Sequence, residues 1–189
     1  MTTQALKPSE TAVVVIDMLN DFISGSLKVD RAEAIVPRIK SLLAAAREAG
    51  AAVVYSCDAH SADDHEIMVA WQPHAMAGTD GAQVIAELAP APGDHVSAKS
   101  TYSGFYKTDL QEYLQSKGIK TVVLTGVLTS CCIQYIAGEA FVRGYRVIVP
   151  EDCVETFSQQ EQDAALEYVR FWYKADTRPS QDMIRTWGE

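Results

Sequence analysis

"TVVLTGVLTSCCIQYIAGEAF", residues 121–141, changes its periodicity in the middle. Its first six residues, TVVLTG, carry no charge and are apolar or β-branched until Gly126, which reads as a strand covered on both faces. After the junction, apolar residues fall at Ile133, Ile136, Ala137, Ala140 and Phe141, the spacing of one face of an α-helix. A doubly covered strand that runs straight into a helix is the repeating unit of a parallel α/β sheet. At the junction stand two adjacent cysteines, Cys131 and Cys132.

The same alternation extends in both directions. AVVVI (12–16) is a continuous apolar run followed by the loop DMLNDFISGS. A helical stripe over 32–50 (Ile35, Ile39, Leu42, Leu43, Ala46) closes at Gly50, and AAVVYS (51–56) follows as a strand. HVSAK (95–99) is a weaker strand, and residues 108–118 form a helix opened by Thr108 as N-cap and stopped at Gly118. YRVIVP (145–150) is the fifth strand, 159–173 the last long helix, and a sixth strand is expected near 175–177. The expected fold is α/β: one domain over 1–189 with an open, mainly parallel sheet of five to six strands and helices on both faces. The connection from 57 to 95 is too long for a plain turn and reads as a functional loop.

In an open parallel sheet, ligands bind beyond the carboxyl ends of the strands. The residues just past those ends are Asp17, Asp58 with His60, Lys99, and the pair Cys131 and Cys132. Each has an ordinary explanation alone, such as a loop-entry hydrogen bond for Asp17 or a solvated charge for Lys99. Their convergence on one edge points to chemistry. A thiol nucleophile needs an acceptor for its proton and donors for the developing oxyanion. The cysteines sit at a helix N-terminus, where N–H groups and the dipole favour a thiolate. Asp17 can take the proton, and Lys99 can hold carboxylate and thiolate by charge. Helical spacing turns Cys132 inward with Ile136 and Ala140, whereas Cys131 aligns with Gln134, Tyr135 and Gly138. The alternative is that both cysteines are small buried apolar residues.

Composition narrows the partners. The formal net charge of −9, from 16 basic and 25 acidic residues, argues against nucleic acid and anionic membrane. The opening MTTQALKPSE has no signal-peptide core, and no later segment reads as a membrane span. Cysteines at 57, 131, 132 and 153, without a Cys-x-x-Cys pair, read as free thiols in a reducing cytoplasm. The turn after the first strand lacks Gly-x-Gly-x-x-Gly, which disfavours a dinucleotide-binding oxidoreductase.

VVVIDMLNDF (13–22), KSTYSGFYKTDL (99–110) and LTGVLTSCCIQYIAGEAFVRGYRVIVPEDCV (124–154) together resemble the isochorismatase-like cysteine hydrolases, the superfamily of nicotinamidases. The resemblance covers roughly residues 11–157. It implies a catalytic Asp17, Lys99 and Cys132, and an oxyanion hole from the N–H groups of Leu128 and Cys132. It also implies a cis peptide at Val127–Leu128 and a pocket position at Cys131. Asp58-x-His60 followed by Trp71-x-Pro73-His74 and then Gly78-Thr79-x-Gly81-Ala82 is similar to the nicotinamidase metal loop. The implied cofactor is a divalent ion, zinc first and iron or manganese next, on Asp58, His60 and His74. A fourth ligand stays open among Asp64, His65 and Glu66. By the same resemblance Phe22 and Trp71 sandwich an aromatic ring, with Tyr102 beside them. Two positions depart from the nicotinamidase pattern, Ala59 for a frequent Trp and Ser61 for the usual Pro, and they weaken pyridine specificity.

The resulting expectation is a homo-oligomeric amidohydrolase that cleaves a small, nicotinamide-like carboxamide to acid and ammonia through a cysteine thioester. The alternative is the same chemistry on a ureido, carbamoyl or maleamate-like C–N bond. Isochorismate hydrolysis is disfavoured, because vinyl-ether cleavage has no use for the thiol. A non-catalytic binding module would have no reason to keep all three residues.

Overall fold

The stretch at 121–141 forms the strand-to-helix unit its periodicity implies, in a computed structural model that describes residues 6–187. The strands are β1 (Thr11–Ile16), β2 (Ala52–Asp58), β3 (His95–Lys99), β4 (Thr121–Val127), β5 (Arg146–Ile148) and a two-residue β6 (Val154–Glu155). They lie in the order β3-β2-β1-β4-β5, with β6 paired to the end of β4, and every one of these pairings is parallel. The helices are α1 (Asn20–Ile23), α2 (Val36–Ala49), α3 (His65–Val69), α4 (Leu110–Ser116), α5 (Gln134–Val142), α6 (Gln159–Tyr173) and α7 (Ser180–Trp187). None is long and apolar enough to cross a membrane.

The strands read as unbroken apolar runs because both of their faces are covered. Val13, Val15, Val53 and Tyr55 pack on one side against Ile39, Leu42, Leu43 and Ala46 of α2 and Met183 of α7. Ala12, Val14, Ile16 and Leu124 pack on the other against Leu114 of α4, Ile136 and Ala140 of α5, and Val169 of α6. Alternate residues of β1 therefore feed two cores, and neither face is left for water.

Strand order creates the site. From β1 the chain moves outward to β2 and β3, then crosses back to place β4 on the other side of β1. This reversal between β1 and β4 opens a crevice at their carboxyl ends. Gly126 allows the two strands to converge there: it pairs with Ile16, and a Cβ on it would lie 2.0 Å from the Ile16 carbonyl oxygen. Its φ of +109° is a second reason that only glycine fits.

Four sequence expectations need correction. The stretch 175–177 is no strand: it contributes one isolated bridge, Asp176 to Ile148, and the sixth strand is Val154–Glu155. The fifth strand is only Arg146–Ile148: beyond it the Val149 N–H donates to the Asp176 carbonyl and Pro150 has no N–H to offer a ladder. The 32–50 helix begins as a 3₁₀ turn over Ala32–Ile35 before the proline-led first turn of α2. At the 108–118 helix, Thr108 Oγ1 accepts weakly from the Leu110 N–H at 3.4 Å, and Asp109 takes the cap position.

Candidate active site

Asp17 leaves β1 in a left-handed turn, with φ +51°, and its N–H donates to the Ser56 carbonyl. The turn aims its carboxylate back across the strand ends. Oδ1 accepts the Asp58 N–H at 2.8 Å, and Oδ2 accepts from Lys99 Nζ at 2.8 Å. Asp58 and Lys99 are register partners on β2 and β3, so their side chains emerge side by side, with Lys99 Nζ 2.5 Å from Asp58 Oδ1. The same ammonium lies 3.7 Å from Cys132 Sγ. All four side chains are buried. An acid, a cation and a thiol predicted from three strand ends thus meet in one cluster.

The cysteine pair occupies a π-helical turn, Thr129–Ile133, between β4 and α5. Such turns recur at functional sites because the extra residue re-aims side chains. Cys132 points inward among Ile133, Ile136 and Ala140, while Cys131 is half-buried. The peptide bond Val127–Leu128 is cis.

Charge settles unevenly over this cluster. Burial first, and then the neighbouring Asp58 carboxylate, push Asp17 up to about 6 against the pull of Lys99. Burial also opposes the Asp58 charge, but Lys99 and His60 outweigh it and hold that carboxyl below its usual range. Lys99 is buried as well, yet the two aspartates keep it firmly protonated. The Cys132 thiol is pushed up, first by its hydrogen bond with Cys131 and then by burial, and Lys99 does not compensate. The resting thiolate expected from a helix N-terminus is therefore not favoured. A protonated thiol beside a carboxylate acceptor is.

Asp58, His60 and His74 bring donor atoms within 4.8 Å of one another. Their chemistry fits a divalent ion. His74 Nδ1 lies 2.9 Å from the Gln72 carbonyl, which can only accept, so a proton sits on Nδ1 and the neutral ring offers Nε2 as the ligating atom. His60 Nδ1 is 3.3 Å from Asp64 Oδ2, and its buried Nε2 faces Asp58 Oδ2 at 3.5 Å without closing a good hydrogen bond. An ion between the two would satisfy both atoms. One carboxylate oxygen and two imidazoles suit zinc, iron or manganese better than calcium or magnesium. Asp64 supports His60 from behind, Glu66 accepts the Tyr102 N–H at 2.9 Å, and His65 is exposed, so none of the three joins this donor set. A second acidic group, Asp17, Asp58 and Cys132, is already served by the Lys99 ammonium.

Above the cluster lies a narrow slit, with only about 10 Å³ open to the centre of a water-sized sphere. Phe22, Trp71, Tyr102, Leu128 and Cys131 line it, and Asp17, Asp58, His74 and Cys132 reach its floor. The Trp71 indole N–H donates to the Tyr102 hydroxyl at 2.7 Å, and the Phe22 ring meets His74 edge-on, with centroids 5.4 Å apart. Two wall residues escaped the sequence reading. Leu27 sits in an aperiodic loop with no signal of its own, and Glu66 stood only among the open metal ligands.

Comparison with known proteins agrees with this fold. Nicotinamidase 3 of Arabidopsis thaliana is 33% identical over 168 residues, covering 86% of this chain and 81% of that protein. The crystal structure of N-carbamoylsarcosine amidase from Thermoplasma acidophilum superposes with a TM-score of 0.84 at 40% identity, covering 90% of this chain and 96% of that one. Pyrazinamidase of Pyrococcus horikoshii, solved in complex with zinc, gives 0.83 at 27% identity over 90% and 99%. The isochorismatase domain model matches residues 11–180, which takes in every strand and the whole cluster. With fold and domain model in agreement, the chain belongs to the isochorismatase family.

Proposed function

We propose that this chain is a cysteine amidohydrolase that cleaves a small, planar, nicotinamide-like carboxamide to its acid and ammonia. The observation that carries the reading is the buried contact of Asp17, Lys99 and Cys132 at the floor of an aromatic-walled slit. In this reading Cys132 Sγ attacks the carboxamide carbon as its proton passes to the Asp17 carboxylate. The N–H groups of Leu128 and Cys132 donate to the oxyanion. Collapse breaks the C–N bond, and Asp17 returns the proton so that ammonia leaves and a thioester remains. Water then attacks the thioester, losing a proton to Asp17, and the thiol is regenerated with the acid product. Lys99 holds Asp17 in place and balances the negative charge moving between oxygen and sulfur.

Asp58, His60 and His74 would hold a divalent ion at the edge of the slit, zinc being the first candidate. When bound, the ion supplies a Lewis-acidic position for a substrate nitrogen. Phe22 and Trp71 line the space where a flat ring would lie, and Trp71 is fixed by Tyr102.

A second reading, hydrolysis of a carbamoyl or ureido C–N bond by the same residues, is favoured by one feature. The Glu66 carboxylate lines the slit, where it can accept from the additional N–H groups such substrates carry. The test is ammonia release from nicotinamide, pyrazinamide, benzamide, a carbamoyl amino acid and a ureido acid, with Cys132→Ala as control. Turnover of the ring carboxamides supports the first reading, and turnover confined to the carbamoyl and ureido compounds replaces it with the second. No thiol-dependent turnover of any of them removes both.

A further inference from the structure

We infer that Glu161 is a positioning residue: through Ser130 it holds the turn that carries the nucleophile. The inference rests on the proposed role of Cys132 and adds the device that fixes where its sulfur stands.

The turn Thr129–Ile133 gives its side chains different tasks. Ile133 packs in the core, and Cys131 and Cys132 face the slit. The Thr129 hydroxyl is buried without a hydrogen-bond partner. Ser130 ties the turn to α6 and to the end of β6. Its Oγ lies 2.5 Å from Glu161 Oε1 and 2.9 Å from Thr156 Oγ1. A serine hydroxyl has one proton to give, and a carboxylate can only accept. Ser130 therefore donates to Glu161, and Thr156 donates to Ser130. The chain ends on a charged acceptor, the stronger kind of hydrogen bond.

Both ends of the chain are anchored. Thr156 is fully buried and directly follows β6, which pairs with Gly126 and Val127 at the end of β4. The Thr156 N–H donates to Glu155 Oε1 at 3.0 Å, and Arg31 holds the other Glu155 oxygen at 3.0 Å. Glu161 stands in the first turn of α6, where its N–H donates to Ser158 Oγ at 3.2 Å.

This use of Glu161 departs from what its local sequence favours. Ser158-x-x-Glu161 is the pattern of a capping box, in which the acid turns back to the N–H of the capping serine. The serine half of the box is made, but the Glu161 carboxylate reaches across to Ser130. Local rules set aside for a tertiary contact gather at functional sites.

Ser130 stands two positions before Cys132, so a shift of the serine carries the sulfur with it. Attack needs aligned atoms at about 3–3.5 Å, and a displacement of about 1 Å costs on the order of 10²-fold in rate. Phe22, Trp71 and Tyr102 come from other elements, so binding of substrate in the slit should change little.

Hydrogen–deuterium exchange over residues 129–133, paired with steady-state ammonia release, tests the inference. Ser130→Ala and Glu161→Ala should each exchange the turn amides faster than wild type, while β1 and α2 stay protected. In both, kcat should fall by about 10²-fold with KM within about threefold. The double variant should lose no more than either single, because all three break one bond. Glu161→Gln, whose amide oxygen still accepts from Ser130, should stay within about threefold of wild type. A residue that only stabilises the fold would lower Tm and leave the kcat of folded protein unchanged. Should Glu161→Ala not fold, Ser130→Ala breaks the same bond. Unchanged exchange at 129–133, unchanged kcat in the alanine variants, multiplied losses in the double variant, or Glu161→Gln as slow as Glu161→Ala would each overturn the inference. A wild type without Cys132-dependent turnover would end the proposed reaction, and exchange at the turn would then decide by itself whether Glu161 holds it.

Discussion

Lys99→Met removes the one cation from a buried site that holds two carboxylates. The Lys99 side chain is fully buried and bonds Asp17 at 2.8 Å and Asp58 at 2.5 Å. Methionine fills similar volume without charge, so the loss is electrostatic rather than a cavity. Breaking a buried ion pair by removing one partner costs about 3–5 kcal/mol, because the remaining charge has neither water nor counter-charge. At about 2–4 °C per kcal/mol for a chain of this size, Tm should fall by roughly 6–20 °C. Asp17→Asn should behave differently. Asparagine can still accept the Asp58 N–H, Lys99 keeps Asp58 as a partner, and a carboxylate that burial already disfavours is gone; stability should stay within about 1 kcal/mol of wild type. In the double variant the two changes should couple. Removing the Asp17 charge from the Lys99→Met background relieves repulsion with Asp58, so the double should be more stable than Lys99→Met alone by about 0.5–3 kcal/mol. Urea unfolding and thermal melts of the four proteins in chelator measure this cycle. Ammonia release from folded protein should fall by about 10²–10⁴-fold in each single variant. A Lys99→Met protein that melts with wild type, or a double variant no more stable than Lys99→Met, would refute the electrostatic account of this cluster.

Three further outcomes follow from the same geometry. Cys132→Ala should abolish turnover and Cys131→Ala should keep a large share of it with altered substrate preference; the reverse pattern in ammonia release would exchange their roles. His74→Ala should lose the metal found by elemental analysis in chelator-free wild type, and should impair nicotinamide more than benzamide, which has no ring nitrogen. Fully active metal-free wild type on nicotinamide would end the metal's part in binding. Gly126→Ala should fail to accumulate as folded protein, at a cost above about 4 kcal/mol, because its Cβ would meet the Ile16 carbonyl at 2.0 Å; a normal melt in a soluble variant would count against the strand-convergence argument.

By itself the sequence determined the layers and the edge of the sheet where chemistry could gather. Burial on both faces demands unbroken apolar runs at β1, β2 and β4, and a helix demands a 3.6-residue stripe, so both patterns are written locally. Asp17, Asp58, Lys99 and Cys132 were legible for the same reason: a strand end is a position along the chain. The inward face of Cys132 was legible too, since it needs only the phase against Ile136 and Ala140. The tertiary structure decided what depends on distance between elements. β6 was invisible because two residues carry no period and pair only once β4 is in place. Asp64 became a support for His60, and Glu66 a wall of the slit and an acceptor for Tyr102, through contacts that no spacing encodes. The surroundings of the Cys132 thiol were also set there. A helix N-terminus alone favours a thiolate, but a neighbouring thiol, burial and two carboxylates brought from other strands push its pKa up. Periodicity records which way a side chain points from its own element; only folding brings the charges of four strands into the few ångströms over which they set one another's protons.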